Sequence, residues 1–241
     1  MKEVSSFTDN GFSGRWVGSI SLILGPLLLF IGVTLRCPFD FFFPYQLTAY
    51  QDHSTLMVAS YSTFIAGNIL MWPAVLTLVQ LISKRNPNWA FWGGMFTIFG
   101  LFARTFHAGV DHLAFQLVHI QNSTLATKVI GDAYGAFHIF STFNLAIMFG
   151  WIILAIGAYL SRTLNIYCAI ALGLMSGLPI GVLKGTSPFS FVATIGLCIA
   201  LLPLGFKVLQ DGPKPATRSV LSWSIGTILL IGIFYLFGQA G

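Results

Sequence analysis

The chain of 241 residues is 56% hydrophobic and 8% charged, which excludes an ordinary soluble domain, with its roughly 25% of charged residues, and a disordered chain. Three cysteines are too few for a disulfide-stabilised miniprotein. The net charge of +5, from 12 basic and 7 acidic residues without a dense basic run, does not indicate nucleic-acid binding and is typical of the positive-inside rule of membrane proteins.

Seven apolar runs follow one another, each bounded by charged residues or by breaks that contain proline or glycine. They predict an all-α, multi-pass integral membrane protein with one transmembrane domain over residues 1–241. The predicted spans are Trp16–Leu35, Thr55–Ile82, Trp89–Ile120, Ile130–Leu160, Leu164–Leu183, Phe189–Leu209 and Val220–Phe237. The count falls to six if the short turn Lys184–Pro188 belongs to a re-entrant hairpin. A transmembrane barrel is disfavoured because the runs lack the alternation of barrel strands.

The basic residues between the runs predict the orientation in the membrane. Short cytoplasmic loops are enriched in lysine and arginine, so the richer side is assigned to the cytoplasm. This places the N-terminus in the cytoplasm and the C-terminus outside, and we expect the protein in the plasma membrane. The richer side has Lys2, Arg15, Lys84, Arg85, Arg162, Lys207, Lys214 and Arg218; the other has Arg36, Lys128 and Lys184.

Glycines recur every fourth residue in and after the fifth run, at Gly173, Gly177, Gly181 and Gly185. On a helix this spacing leaves one face bare, so that a neighbouring backbone can approach closely. The pattern predicts a tight helix contact, and the Gly173/Gly177/Gly181 face is the candidate contact for a homo-oligomer or for another membrane subunit.

The third run contains five ionisable side chains. Ionisable groups within a span are costly unless they are paired or hydrated, so they indicate a functional site. At about 100° and 1.5 Å per residue, all five fall within an arc of about 140° in the outer half of the membrane. The run therefore predicts an outward-opening polar cavity. The five are Arg104, His107, Asp111, His112 and His119.

The next run and the end of the fifth add further polar groups to this predicted cavity. Asp132, Tyr134 and His138 descend the fourth helix, and Lys184 ends the fifth on the outer side. The cavity is thus predicted between the third and fourth helices. Its binding groups would be Arg104, acting as an electrostatic clamp, together with Tyr134, Asp132 and Lys184.

A membrane-embedded enzyme acting on a lipid-like or apolar substrate is the leading functional hypothesis. Its catalytic residues would be His107, Asp111, His112 and His138, either as acid–base groups or as ligands of a zinc ion, since Zn²⁺ takes histidine nitrogen and carboxylate oxygen. The spacing matches no metal motif. Seven-helix zinc hydrolases carry a histidine pair in their last helix, and Val220–Phe237 contains no histidine, so no family is identified.

Two alternatives use the same residues. One is a bis-histidine haem held by His107 and His138, which requires two imidazoles at equal depth on facing helices. The other is a transporter, receptor or immunity-type membrane protein that binds an amphiphile or an anion without metal, through Arg104, His107 and Lys184.

Overall fold

The computed structural model describes residues 14–134, 137–211 and 217–240. Within these ranges the chain forms α-helices joined by short turns and no strand. The helices are α1 (Gly14–Leu35), α2 (Phe43–Asp52), α3 (Ser54–Ser83), α4 (Pro87–Ile120), α5 (Ser123–Tyr134), α6 (Phe143–Leu160), α7 (Ile166–Gly173), α8 (Pro188–Gln210) and α9 (Thr217–Ala240), with 3₁₀ turns at Ile139–Thr142 and Leu174–Gly177.

The all-helical prediction is confirmed for the described chain. Five of its helical segments are long and apolar enough to cross a membrane, which is compatible with a membrane protein but does not reach the predicted count of seven. The helix predicted at Trp89–Ile120 is present as α4, although its charged residues make it more polar than these five. The five segments are Gly14–Leu35, Ser54–Ser83, Ile139–Leu160, Pro188–Gln210 and Val220–Gln239.

The chain divides into two compact units. The first, Phe12–Leu209, contains α1 to α8 and carries the groups discussed below. The second includes the C-terminal residues from Gln210 onward, of which α9 is the helical part.

Glycines bring the main helices of the first unit into direct backbone contact. A Cβ added to Gly67 of α3 would lie 2.7 Å from the Leu29 nitrogen of α1, and one added to Gly100 of α4 would lie 2.0 Å from the Ile147 Cβ of α6. Lipid is as apolar as a side chain, so close packing at small residues drives association of membrane helices. The pairs α1–α3 and α4–α6 are therefore assembled through glycine contacts.

Two predicted helices are interrupted, which corrects the expectations for the fourth and fifth runs. The run Ile130–Leu160 is divided between α5, a 3₁₀ turn and α6, with extended backbone at His138. The run Leu164–Leu183 leaves the α-helix after Gly173 and the 3₁₀ turn after Gly177. Proline has no amide hydrogen and disfavours helical backbone in the residue before it, and Leu178, which precedes Pro179, is extended with ψ of 120°.

The four regularly spaced glycines consequently do not share a helix face, and that prediction is wrong. Gly173 ends α7, Gly177 ends the 3₁₀ turn, and Gly181 and Gly185 lie in the non-helical segment that follows. We call residues 178–187, between the 3₁₀ turn and α8, the unwound segment.

The unwound segment runs along the inside of the first unit. The loop between α6 and α7, which begins this stretch of chain, lies near the α3–α4 loop, where Arg85 Nη1 donates to the Ser161 carbonyl at 3.3 Å. The far part of the unwound segment reaches the α1–α2 connection, where the Gly185 amide donates to the Phe41 carbonyl at 2.9 Å. α7 and the unwound segment thus connect the two ends of the helix assembly, half as helix and half as non-helical chain.

Candidate functional site: a cavity with two buried arginines

Arg104 connects the middle of α4 to the start of the unwound segment. Its Nη2 donates to the Leu178 carbonyl at 3.0 Å and its Nη1 to the Pro179 carbonyl at 3.1 Å. These carbonyls follow a helix C-terminus, where backbone acceptors lack helical partners and the helix dipole favours a cation. One guanidinium group therefore satisfies two carbonyl groups that the helix break leaves without a helical donor.

Asp111, two turns further along α4, binds a backbone amide of the unwound segment, whereas Arg104 binds backbone carbonyls. Its Oδ1 accepts a hydrogen bond from the Leu183 amide at 2.5 Å. Leu183 has a positive φ of 50° and Gly181 one of 129°, so the backbone turns sharply between the two contacts. Arg104 and Asp111 thus hold the two ends of this turn, one through carbonyl groups and the other through an amide.

Arg36, directly after the end of α1, faces the same region. Its guanidinium carbon lies 4.8 Å from the ring centre of Tyr61 and 4.6 Å from that of Phe64, both on α3. Ring faces attract a cation but leave its N–H donors unused. Of the residues that the structure describes, none accepts a hydrogen bond from the Arg36 guanidinium, and its Nε is buried without a partner.

Burial makes this arginine unusual. Its residue is only 5% exposed, and desolvation lowers the pKa of its guanidinium, while Tyr61 and Asp111 act in the opposite direction. An arginine remains protonated in proteins, so a full positive charge with unused donors lies inside the protein.

The two arginines line one small cavity. Arg104 is 6% exposed, and its Nε also lacks a hydrogen-bond partner among the described residues. The cavity has a volume of about 40 Å³, and a water molecule needs about 10–15 Å³ measured in this way. Roughly three heavy atoms fit, which is the size of a carboxylate group. The cavity walls include Arg36, Tyr61, Arg104, His107, Asp111 and Lys184.

The charge of these walls is positive. Arg36, Arg104 and Lys184 supply three cations against the one carboxylate of Asp111. The two arginines act on each other electrostatically, and like charges repel more strongly at the lower effective dielectric of a protein interior. A bound anion would relieve this repulsion and would use the free donors.

The predicted third helix contributes His107 to the cavity wall, whereas the predicted fourth helix is interrupted. His107 is 3% exposed and lines the cavity, and its Nε2 lies 3.3 Å from the Tyr134 hydroxyl of α5, within hydrogen-bond distance. The His138 ring is tilted by 40° against the Phe106 ring at a centroid distance of 4.7 Å, and its buried Nδ1 has no hydrogen-bond partner among the described residues. Because His138 precedes a 3₁₀ turn after the break, the two facing helices assumed by the haem hypothesis are absent from the described structure.

The remaining predicted groups are divided between the cavity and the protein surface. His112 is exposed and lines a neighbouring groove, and Asp132 and His119 are exposed. Lys184 lines the cavity and lies over the Phe41 ring at 5.4 Å. The described ranges contain no group of three His, Cys, Asp or Glu side chains placed to hold a metal. The set His107, Asp111, His112 and His138 therefore gains no support as a metal site, and the described structure gives no support for the predicted histidine cluster.

Several polar residues of the site are not among the residues predicted from the sequence. Arg36 enters the predicted orientation only as a loop cation, although its position at the end of an apolar run is a usable signal. Tyr61 donates to Gln46 Oε1 at 3.1 Å and lies 3.4 Å from the Lys184 carbonyl. Asn68 donates to Thr105 Oγ1 at 3.1 Å. These contacts fix α2, α3, α4 and the unwound segment around the cavity.

Comparison with protein-family models, curated proteins and solved structures gives no match for this chain. The function is therefore inferred from the chemistry of the cavity: two buried guanidinium groups with free donors, a positive wall, and space for about three heavy atoms.

Proposed function

We propose that this is a multi-pass membrane protein that binds the carboxylate group of a small organic acid between Arg36 and Arg104, for transport or for sensing and without a metal. The observation that carries the proposal is the pair of buried arginines whose Nε donors have no partner within the described ranges. Arginine presents parallel donors that match the two oxygens of a carboxylate.

The unwound segment supports a binding role. Irregular backbone at membrane depth is tolerated where it is buried in protein or lines a cavity, and discontinuous helices form the substrate sites of many transporters. In the proposed arrangement the chain crosses the membrane seven times, and α7 with the unwound segment forms the fifth crossing. The cytoplasmic N-terminus then places the cavity in the outer half of the membrane.

The acid–base enzyme predicted from the sequence would use the same cavity, with His107 and Asp111 as its groups. Turnover of the bound acid by the purified protein is its test. The arginine pair supports binding directly, whereas catalysis would additionally require a bond of the ligand placed against His107 or Asp111.

Calorimetric titration of the protein in nanodiscs of zwitterionic lipid tests the binding proposal. Propionate should bind with one molecule per chain, and neutral propionamide of the same shape should not. Methyl phosphate should bind more weakly because its head has more heavy atoms than the cavity admits. Arg36→Gln should weaken propionate binding at least tenfold, which is about 1.4 kcal/mol, whereas the exposed Arg162→Gln should leave it unchanged.

Asp111→Asn provides a second readout. The amide oxygen can still accept from the Leu183 amide, while the only carboxylate of the cavity wall is removed. Propionate affinity should therefore rise. Equal affinity for propionate and propionamide, or an Arg36→Gln protein that binds propionate like the wild type, would contradict the proposal.

A further inference from the structure

A groove on the outside of the first unit lies between α3 and α4, next to the cavity. It has a volume of about 270 Å³, several times that of the cavity. Its α3 wall contains Val58, Ser62 and Ile65, and its α4 wall contains Gly109 and Phe115. All its lining residues come from these two helices.

The groove and the cavity are neighbours that share walls. Tyr61, Ile65, Ala108 and Asp111 line both. The groove lies at the exposed helix surface, since Val58 is 47% exposed, and the cavity lies at the buried arginines. A ligand that fills both would have its charged end inside and its other end between the helices.

Gly109 keeps the groove open. A Cβ added at this position meets no atom within 4 Å, in contrast to the tightly enclosed Gly100 on the same helix. The lining on α4 extends from Thr105 to Phe115, which is about 15 Å along the helix axis. A groove of this length accommodates an extended hydrocarbon chain, and its walls include Val58, Ile65 and Phe115.

We infer that the ligand is a single-chain carboxylate amphiphile, a fatty acid, whose head group lies at Arg36 and Arg104 and whose chain lies in the α3–α4 groove. This inference rests on the proposed carboxylate site and names its substrate class. Charge complementarity selects the head group, since three cations and one carboxylate line the cavity. The exposed groove selects the chain, because a lateral opening between two membrane helices admits a ligand directly from the lipid.

Gly109→Leu tests the groove separately from the cavity. The added side chain would occupy the groove, so hexadecanoate should bind at least tenfold more weakly while propionate binds within twofold of the wild type. Gly226→Leu in α9 is the matched control, because a Cβ there likewise meets nothing within 4 Å. It should change neither affinity.

Photolabelling with a hexadecanoate that carries a mid-chain diazirine shows where the hydrocarbon chain of the ligand binds. In nanodiscs the probe should label peptides containing residues 58–65 and 105–115, and hexadecanoate should compete while hexadecanol should not. Labelling spread equally over the exposed α6 residues Phe149, Ile152 and Ile156 would overturn the groove assignment, as would equal competition by hexadecanol.

The outcomes separate the two proposals. If propionate binds and depends on Arg36, but Gly109→Leu leaves hexadecanoate binding unchanged, the groove inference fails and the carboxylate site stands. If neither acid binds in an Arg36-dependent manner, both fail.

Discussion

The two halves of α4 pack against different kinds of backbone, and their residues differ accordingly. The first half, up to Gly100, meets the regular helix α6 and buries Gly93 and Gly100 against it. The second half meets the unwound segment and buries Arg104, His107 and Asp111. A helix has its backbone groups paired internally and demands only close contact, whereas an unwound chain presents carbonyl and amide groups that require partners.

The kind of backbone that each half of α4 contacts explains why charges are tolerated in its second half. A buried polar group without a partner costs about 1–3 kcal/mol, and two carbonyl groups and one amide of the unwound segment are satisfied by Arg104 and Asp111. Arg36 has no such backbone acceptor in the part of the chain that the structure describes. The first two charges therefore have a structural role, whereas the observed neighbours of the Arg36 guanidinium are the Tyr61 and Phe64 rings.

The largest loss of stability is expected from a substitution at the contact between α4 and α6. Gly100→Leu places a side chain where even a Cβ would lie 2.0 Å from Ile147. Overpacking in a close-packed interior costs about 1–3 kcal/mol or more, and we expect this variant to exceed that range and to yield no folded protein by size-exclusion chromatography. Gly109→Leu, on the open side of the same helix, should remain folded. A folded Gly100→Leu variant would show that α4 and α6 do not approach as described.

The second-largest loss of stability is expected when Arg104, which donates to the unwound segment, loses its charge. Arg104→Met leaves the Leu178 and Pro179 carbonyls without their donors, so we expect a loss of about 3 kcal/mol in the free energy of unfolding. Arg104→Lys should recover part of this loss, because an ammonium group donates but cannot form the two parallel bonds of a guanidinium. Thermal unfolding in detergent measures both variants. Equal stability of wild type and Arg104→Met would remove the structural role assigned to Arg104.

Two glycines of the interrupted run Leu164–Leu183, Gly181 and Gly177, should differ in their effect on stability when replaced by alanine. Gly181 has φ of 129°, a conformation that costs other residues about 1–3 kcal/mol, so Gly181→Ala should lower stability by about that amount. At Gly177 a Cβ meets nothing within 4 Å, and Gly177→Ala should change stability by less than about 0.5 kcal/mol. If both glycines instead lay on one packed helix face, the two substitutions would have similar effects in the same unfolding assay.

The smallest effect is expected at the exposed predicted residues. His112→Ala and Asp132→Asn alter exposed side chains, so each should change stability by less than about 0.5 kcal/mol, and propionate affinity should stay within twofold. Neither residue lines the cavity. A loss of propionate binding in either variant would restore that residue to the site.

Apolar runs predicted the long helices well because hydropathy determines which segments can lie in lipid. The predicted Trp89–Ile120 and the observed Pro87–Ile120 differ by only two residues. The same signal does not show where a helix is interrupted, since Leu178, Ile180 and Val182 are as apolar as helical residues. Pro179 followed by Gly181 was the local sign of the break.

The polar residues of α4 were predicted only in part. Arg104, His107 and Asp111 stand at intervals of three and four residues and form one narrow stripe, which is buried as expected. His112 and His119 belong to the edge of the predicted arc and are exposed. Arg36 and Tyr61 reach the cavity through tertiary contacts between distant segments, and periodicity within one helix carries no information about such contacts.

A structure of the protein in complex with 11-bromoundecanoate is the most direct test of whether Arg36 and Arg104 bind a carboxylate. The anomalous signal of bromine identifies the ligand, and the position of its carboxylate decides the question. We expect carboxylate oxygens within about 2.7–3.2 Å of nitrogen donors on both Arg36 and Arg104. A cavity that holds only water while the carboxylate lies at the protein surface would contradict this expectation.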